Sequence, residues 1–225
     1  VAGVAVHNLW GFVGPSGLWA IEPSYEAVLD YSEGMAAVKR GGLWGFISSS
    51  GELLIPYAFQ DVMSFSEGAA GAASQGRWGY IDRRGAWMAD PVYLEAWPFS
   101  EGLAPVRSAS NGRWGYVGRS IPPLFGGQSF EEAGSFMDGL ALVTEKGQKR
   151  YIDLEGKAAF EAVFEDARDF SQGLAAVRSG DRWGYADRRG KMVLPPRFEA
   201  AGPYSEGLAA VRLKGRWGFV DKKGE

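Results

Sequence analysis

Carboxylate side chains are the groups in this sequence best suited to chemistry, because a pair of them can serve as acid and base in glycoside hydrolysis. A group needed once for catalysis would not be copied into nearly every repeat of a chain, yet these residues recur in step with a period of about 34 residues. The recurrence indicates turn shaping and solvation, so we predict no catalytic residue. The carboxylates concerned are Glu33, Glu67, Glu101, Glu206, Asp82, Asp153, Asp187 and Asp221.

His7 is the single histidine, and the chain has no cysteine. A Ser-His-Asp site needs a histidine held in a cleft beside a serine, whereas His7 lies next to Asn8 in the first predicted strand, where other repeats carry Arg or Lys. We interpret it as a surface residue. One histidine without cysteine argues against zinc, the aspartate turns lack the clustered carboxylates of calcium sites, and no glycine loop has the phosphate-binding pattern. We therefore predict neither a metal nor a cofactor.

The tryptophans allow two interpretations, because an indole ring binds sugars or peptides when it is exposed and stabilises a core when it is buried. Trp-Gly recurs with the period, and periodic recurrence favours burial between repeats. Trp19, Trp87 and Trp97 fall outside the Trp-Gly register. These three residues are the candidates for an exposed ligand-binding patch.

The composition narrows the classes of partner. The 225 residues carry a net charge of −3, which gives no basic surface for nucleic acid or an anionic membrane. No apolar run approaches the roughly 18 residues that membrane insertion requires. The absence of cysteine leaves the compartment open. The chain begins with Val1 instead of Met, so we expect a leader or domain upstream.

Three landmarks share the period, and together they define a tandem repeat. Trp-Gly recurs at intervals of about 34 residues, and an aromatic-Ser-Glu-Gly motif runs in phase with it, as in "FSEG" at 65 and 99. The third landmark is an aromatic residue followed two or three residues later by Ala or Val, as in Phe59 to Val62. Near residue 149, "GQKRYIDLEG" aligns with "GRWGYIDRRG", so Lys149 and Arg150 replace Trp-Gly in a degenerate repeat. We predict a single repeat domain over 1–225 with seven hairpin units, centred on Trp10, Trp44, Trp78, Trp114, Lys149, Trp183 and Trp217.

Each unit is predicted to contain about three short strands, as residues 171–204 illustrate. "LAAVRSG" and "WGYADRRG" form two strands, "KMVLPPRF" forms a third, and "EAAGPYSEG" is a loop or one helical turn. In turns such as Asp187 to Gly190, Asp accepts backbone N–H groups and Gly takes a positive φ. Trp78, Tyr80 and Asp82 share one face of their strand. Gly79 leaves room on the other face, where we expect an aromatic ring from the adjoining repeat.

The stretches "FSEGLAPVRSASNGRWGYVG" and "YSEGLAAVRLKGRWGFVDKKGE" resemble the Trp-Gly (WG) repeat family of bacterial proteins. The resemblance covers nearly the whole chain and implies a β-rich repeat module, often combined with other domains. Some members look like immunity or interaction proteins. Residues 116–130 lack the Asp-x-x-Gly turn, and the unit at Lys149 lacks Trp-Gly. We therefore expect irregular geometry over 118–150, as a bend, a partner contact or sequence drift.

The predicted fold class is all-β: tandem repeats of about 34 residues in an open, curved array of β-hairpins, with a closed propeller-like ring as the alternative. A propeller blade usually has four strands and about 40 to 45 residues, and three strands fall short of that. The chain ends at "DKKGE", where a third strand would begin. We therefore expect the sequence to be a piece of a longer protein.

Two functions follow from these observations, and neither is enzymatic. The first is a repeat module for protein–protein interaction, as an immunity protein or a cell-envelope protein, because repeat arrays present extended surfaces. The alternative is a carbohydrate-binding module that uses Trp19, Trp87 and Trp97. The expected partner is thus another protein, or a glycan in the alternative. A hydrolase that uses the repeated acids ranks last.

Overall fold

A computed structural model describes residues 1–119 and 124–225 of the protein as β-strands joined by tight turns. Within these residues there is no α-helix, and the one helical element is a 3₁₀ turn at Phe125–Gly127. The chain divides into two compact units, one with residues 1–112 and 117–119 and the other with residues 113–116 and 124–225. The predicted all-β tandem repeat is confirmed.

The first unit contains three complete sheets, in the orders β1-β2-β3, β4-β5-β6-β7 and β8-β9-β10-β11, followed by β12 and β13. Its strands are β1 (Ala2–Val6), β2 (Leu9–Val13), β3 (Trp19–Tyr25), β4 (Ala27–Val28), β5 (Met35–Arg40), β6 (Leu43–Ser48), β7 (Leu53–Phe59), β8 (Asp61–Val62), β9 (Ala69–Ser74), β10 (Arg77–Asp82), β11 (Trp87–Tyr93), β12 (Glu95–Ala96) and β13 (Leu103–Arg107). The boundary between the units runs through β14 (Trp114–Gly118), which belongs to the sheet of β12 and β13.

The second unit contains three further sheets, in the orders β15-β16-β17, β18-β19-β20-β21 and β22-β23-β24. Its strands are β15 (Glu132–Ala133), β16 (Leu140–Glu145), β17 (Gln148–Asp153), β18 (Asp166–Ala167), β19 (Leu174–Ser179), β20 (Arg182–Asp187), β21 (Met192–Phe198), β22 (Ala200–Ser205), β23 (Leu208–Leu213) and β24 (Arg216–Val220).

The second sheet shows the pattern that recurs. The two-residue strand β4 pairs with β5, β5 pairs with β6, and β6 pairs with β7, all antiparallel. Gly41 and Gly42, with φ of 60° and 77°, form the turn between β5 and β6. Two successive positive φ values match the twist of a hairpin and favour glycine. The carboxylate of Glu26 closes the turn by accepting the N–H of Gly41 at 2.7 Å.

A short leading strand corrects the prediction that the segment between repeats is a loop or one helical turn. In the repeat used as the example, this strand is β22, in which Ala200 and Ala201 pair with Arg212 and Val211 of the next sheet. In five other sheets the leading strand has only two residues, which are too few to carry a visible alternation of apolar and polar side chains. A four-stranded sheet therefore has a leading strand followed by the first, second and third strands that the sequence predicts.

The glycine of Trp-Gly makes room for the backbone of its own sheet, so the prediction of an aromatic ring from the next repeat is wrong. Trp44 pairs with Phe59 and Phe46 pairs with Ile55, which leaves three residues of β7 opposite Gly45 alone. A methyl group on Gly45 would lie 2.6 Å from the carbonyl oxygen of Ile55. Glycine is needed because the bulged strand, which contains Pro56, occupies that space.

The rings that fill the space between consecutive sheets come from the aromatic residue two positions after the tryptophan. Each contacts the aromatic of the following aromatic-Ser-Glu-Gly motif, edge to face, at centroid distances between 4.7 and 5.1 Å. Edge-to-face geometry at this distance is favourable because the ring edge is positive and the face negative. The pairs are Phe12–Tyr31, Phe46–Phe65 and Tyr80–Phe99 in the first unit, and Tyr116–Phe136, Tyr151–Phe170 and Tyr185–Tyr204 in the second.

The tryptophans of Trp-Gly are less buried than predicted. Trp44 is buried, and Trp78 and Trp183 pack at the margin of hydrophobic clusters. Trp10 is exposed, and 65% of the surface of Trp217 is exposed. The prediction that the periodic indoles form the core between repeats is therefore right for Trp44, partly right for Trp78 and Trp183, and wrong for Trp10 and Trp217.

Among the described residues, the two irregular repeats have no third strand. In the degenerate repeat, Arg150 stands where the others have glycine, and only the single bridges Lys149↔Phe164 and Ile152↔Ala158 replace the strand. In the repeat of Trp114 only the bridge to Phe130 remains. Irregular geometry within 118–150 is thus confirmed for the described part. Residues 120–123 of "GRSIPPLFGG" lie outside the described residues.

Candidate functional site

The periodic aspartates shape turns, as predicted. One carboxylate oxygen of Asp82 accepts the N–H groups of Arg84 and Ala86, both at 2.9 Å. Three further aspartates bond in the same way to the residues two and four positions later, and these are Asp153, Asp187 and Asp221. A carboxylate oxygen engaged by two amides fixes the backbone of the turn.

The acids of the Ser-Glu-Gly turns link neighbouring repeats, a role that the sequence analysis missed. The carboxylate of Glu67 accepts the N–H of Glu101 at 2.7 Å and of Gly102 at 2.8 Å, one repeat further on. Glu33 bonds in the same way to Gly68. In the second unit the amide oxygen of Gln172 makes this bond to Gly207 at 3.0 Å. A neutral amide at this position shows that hydrogen-bond acceptance is needed, not acid–base chemistry.

The serine of the same motif adds a second link between repeats. The hydroxyl of Ser32 donates to the carbonyl of Phe65 at 2.6 Å, and that of Ser66 donates to the carbonyl of Phe99 at 2.7 Å. Ser171 does the same for Tyr204 in the second unit. The aromatic-Ser-Glu-Gly motif is therefore recurrent because its aromatic ring contacts the preceding repeat and its serine and acid contact the next one.

His7 lies in a turn, and the prediction that it belongs to the first strand is wrong. Val6 pairs with Leu9, and His7 and Asn8, with φ of 50° and 66°, connect the two strands. The side chain of His7 is exposed, as expected. Among residues 1–119 and 124–225, no group of three or more His, Asp or Glu side chains is arranged to hold a metal ion. Within the same residues no helix has the length and apolar character of a membrane span.

Two of the three off-register tryptophans occupy the same structural position. Trp19 is the first residue of β3, and Trp87 is the first residue of β11. Leu53 begins β7, between them in sequence, and all three pair with the equivalent residue of the second strand of their sheets, which are Val13, Ile47 and Ile81. Trp97 lies elsewhere, directly after β12, where its carbonyl accepts the hydroxyl of Tyr80 at 2.7 Å.

We call Trp19, Leu53 and Trp87 the outer-strand row, because β3, β7 and β11 are edge strands of their sheets. The sheets that carry it are adjacent. A methyl group on Gly51, just before β7, would lie 3.5 Å from Ile21 of β3, and one on Gly85, just before β11, would lie 2.7 Å from Ile55 of β7. The side chains of Leu54 and Met88, the next residues of β7 and β11, are also exposed.

A surface cavity of about 550 Å³ lies in the second unit. Most of its lining is apolar, with Met137, Leu142 and Pro203 among the contributors, and Asp169 and Arg168 add charged groups. The sequence analysis did not identify this cavity. A sequence signal existed: at the position two residues before the motif aromatic, the six repeats carry Leu29, Met63, Trp97, Gly134, Arg168 and Gly202, so two repeats of the second unit lack a side chain there.

Asp169 lines the cavity, and the residue is exposed to solvent. Desolvation raises its pKa above the ordinary value, and the positive charge of Lys149 only partly opposes this. One carboxylate oxygen lies directly against Gly134, 3.1 Å from where a methyl group on that residue would be. Its negative charge raises the pKa values of the buried hydroxyls of Tyr116 and Tyr151, after the larger effect of their own burial.

Comparisons with solved structures support the fold alone. A eukaryotic initiation factor is similar over 96% of this chain and 69% of its own, with 12% identity and a TM-score of 0.59. Hsv2 of Kluyveromyces lactis with loop 6CD replaced by a Gly-Ser linker is similar over 88% of this chain and 78% of its own, with 12% identity and a TM-score of 0.53. No curated protein matches the sequence.

The family comparison gives a more specific result. The family described as WG containing repeat matches residues 10–44, 44–74, 78–114, 150–183 and 183–217. The interval between the third and fourth matches ends at Lys149 and Arg150, which replace Trp-Gly. Because the matches span more than half of the chain, the protein belongs to the WG containing repeat family.

Proposed function

We propose that this protein is a non-enzymatic repeat module that binds another protein, and that the outer-strand row is its contact surface. The observation that supports the proposal is the exposure of large apolar side chains at equivalent positions of adjacent edge strands in the first unit, notably Leu53, Leu54, Trp87 and Met88. Exposed apolar surface of this kind is unfavourable in water and is characteristic of interaction sites. An edge strand also offers unpaired backbone groups to a partner.

Packing holds the outer-strand row in place, so its side chains need not rearrange when a partner binds. The ring of Trp87 contacts the ring of Phe59 edge to face at 5.7 Å, and the turn at Gly85 rests on Ile55. A side chain that is already fixed loses little conformational entropy when a partner binds. The recurrent acids of the aspartate turns and of the Ser-Glu-Gly motif, by contrast, accept hydrogen bonds in turns and repeat links.

The test combines site-specific cross-linking with measured affinity. A photo-reactive residue at position 54 should cross-link a polypeptide from the source organism, which is then identified and purified. Leu54→Asp should weaken the binding of that purified partner by about tenfold or more. Leu213→Asp is the matched control, because Leu54 and Leu213 are both 42% exposed and Leu213 is in the second unit. Equal losses for both variants, or none, would refute the row as the contact surface.

An immunity or cell-envelope role is the narrower form of this proposal, and its support is the resemblance to family members of that kind. A toxin gene next to the gene for this protein would support immunity. A purified toxin whose activity the protein does not reduce would contradict it. A leader peptide in the full-length sequence would support the envelope role.

The second candidate function is carbohydrate binding, which the exposure of Trp87 and Trp97 favours. Sugars stack on exposed indole rings, so a glycan array should then give signals that Trp87→Ala and Trp97→Ala abolish. Trp217→Ala is the control, since Trp217 is exposed but lies outside both positions. A blank array together with a cross-linked protein partner would exclude this candidate.

A further inference from the structure

The carboxylate of Asp169 has no hydrogen-bond or ion-pair partner among the residues that the structure describes. The donors around it are engaged elsewhere. The hydroxyl of Tyr116 donates to the carbonyl of Gly134 at 2.7 Å, and that of Tyr151 donates to the carbonyl of Arg168 at 2.6 Å. The ammonium group of Lys149 pairs with Glu132 at 3.1 Å. The carboxylate thus retains its full capacity to accept hydrogen bonds from a ligand.

The guanidinium group of Arg168 is also turned to another partner. It lies over the ring of Trp183, 5.3 Å from the centroid, in a cation–π contact. Arg168 and Asp169 are neighbours in the chain but form no ion pair. The negative charge in the cavity is therefore not neutralised from within the second unit.

Two repeats of the second unit have glycine, Gly134 and Gly202, where other repeats have a side chain. At the position of Gly134 the first unit carries Leu29, Met63 or Trp97. The side chain of Met63 lies against its own sheet, since its sulfur would be 3.0 Å from a methyl group on Gly71. At Gly134 there is no such side chain, and a carboxylate oxygen of Asp169 lies 3.1 Å from where a methyl group on the glycine would be.

A carboxylate that has no partner and lies next to apolar side chains favours one chemical class of ligand. A cation with an aliphatic stem satisfies both features, because its charged end forms charge-assisted hydrogen bonds and its methylene groups leave water. Lysine and arginine side chains have this composition. A neutral apolar group would leave the carboxylate desolvated and unpaired, and an anion would be repelled.

We propose that this cavity receives a basic side chain of a partner polypeptide, with the Asp169 carboxylate bound to its ammonium or guanidinium group and Met137, Leu142 and Pro203 packed on its stem. The inference goes beyond the outer-strand row, since it concerns the second unit and different chemistry. Either surface can fail its test without affecting the other.

The experiment uses the full chain with methyl-labelled methionine and follows NMR shifts during titration. The probes are two capped tripeptides, Ala-Lys-Ala and Ala-Arg-Ala, a matched peptide with norleucine in place of lysine, and spermidine. The methyl group of Met137 should shift and saturate with the basic peptides, whereas that of Met63 in the first unit should not move. The norleucine peptide, which has the stem without the charge, should bind at least about tenfold more weakly.

Asp169→Asn tests the role of the carboxylate and should weaken binding of the lysine peptide by about tenfold or more. Asp30→Asn is the matched control, because Asp30 occupies the same repeat position in the first unit, and it should leave binding unchanged. Equal binding of the norleucine peptide, unchanged binding by the Asp169 variant, or no response of Met137 would overturn the proposal. Tighter binding of spermidine than of either peptide would assign the cavity to a free polyamine and refute the polypeptide ligand.

Discussion

Two aspartate side chains in this protein have opposite electrostatic environments, so the residue type alone does not decide the direction of the pKa shift. Asp221 accepts the N–H groups of Glu225 and Lys223, and these hydrogen bonds lower its pKa, the bond from Glu225 most strongly. Asp169 has no such donors, and desolvation raises its pKa. The first carboxylate is stabilised in its charged form and fixes a turn, whereas the second is destabilised and available to a ligand.

Asp169→Asn should make the protein more stable at neutral pH. An unfolded chain has an Asp pKa near about 3.9, and the folded value is higher, so ionisation disfavours the native state. The contribution of the neutral carboxyl to stability is present below the unfolded pKa and is lost as pH rises through the folded pKa. The gain from the variant should therefore be seen in urea unfolding at about pH 7 and disappear at about pH 3. A loss of stability at neutral pH would show that the carboxylate has a stabilising partner.

In a four-stranded sheet, one glycine allows the third strand to pack against the second. In the complete sheets the bulged third strand lies against the glycine of Trp-Gly. In the degenerate repeat, Arg150 brings a side chain to this position, and the third strand is reduced to isolated bridges. The glycine of Trp-Gly is thus needed for packing the strand that contains proline. The tryptophan is not the most buried residue of the motif.

Gly45→Ala should destabilise the protein by about 1 to 3 kcal/mol, because β7 must move away from the new methyl group. Gly218→Ala is the matched control at the equivalent position of the last sheet, where nothing lies within 4 Å of the added group. It should be neutral or stabilising by about 0.5 kcal/mol, since alanine restricts the unfolded chain. Urea unfolding followed by tryptophan fluorescence distinguishes the two. Similar effects at both positions would contradict the proposed packing.

At the scale of the whole molecule, stability is expected to depend on contacts between consecutive sheets. A contact such as that between the second and third sheets combines an edge-to-face aromatic pair with links from the serine and the acid of one motif to the backbone of the next. A repeat that contacts only its neighbours contributes to stability as a sum of local and nearest-neighbour terms. A substitution that weakens one interface should consequently destabilise the sheets on both sides of it.

Phe65→Ala should cost about 3 to 5 kcal/mol, because the ring is buried and its loss leaves a cavity beside Phe46. Hydrogen exchange measured by mass spectrometry should show lost protection in β4–β11 and retained protection in β18–β24. Phe219→Ala is the control, since this ring is 71% exposed, and it should change neither stability nor exchange. A uniform loss of protection in both units would mean that they unfold as one cooperative body.

The period, the all-β class and the aspartate turns could be predicted from the sequence, because they depend on hydrogen bonds and alternation within a few consecutive residues. The tertiary structure decided which aromatic ring is buried, what lies against each glycine and where a carboxylate remains unpaired. Tyr80 is buried and Trp217 exposed because burial depends on the sheet that covers a ring. The environment of Asp169 is assembled from Gly134, Lys149 and Tyr151, which only folding brings together.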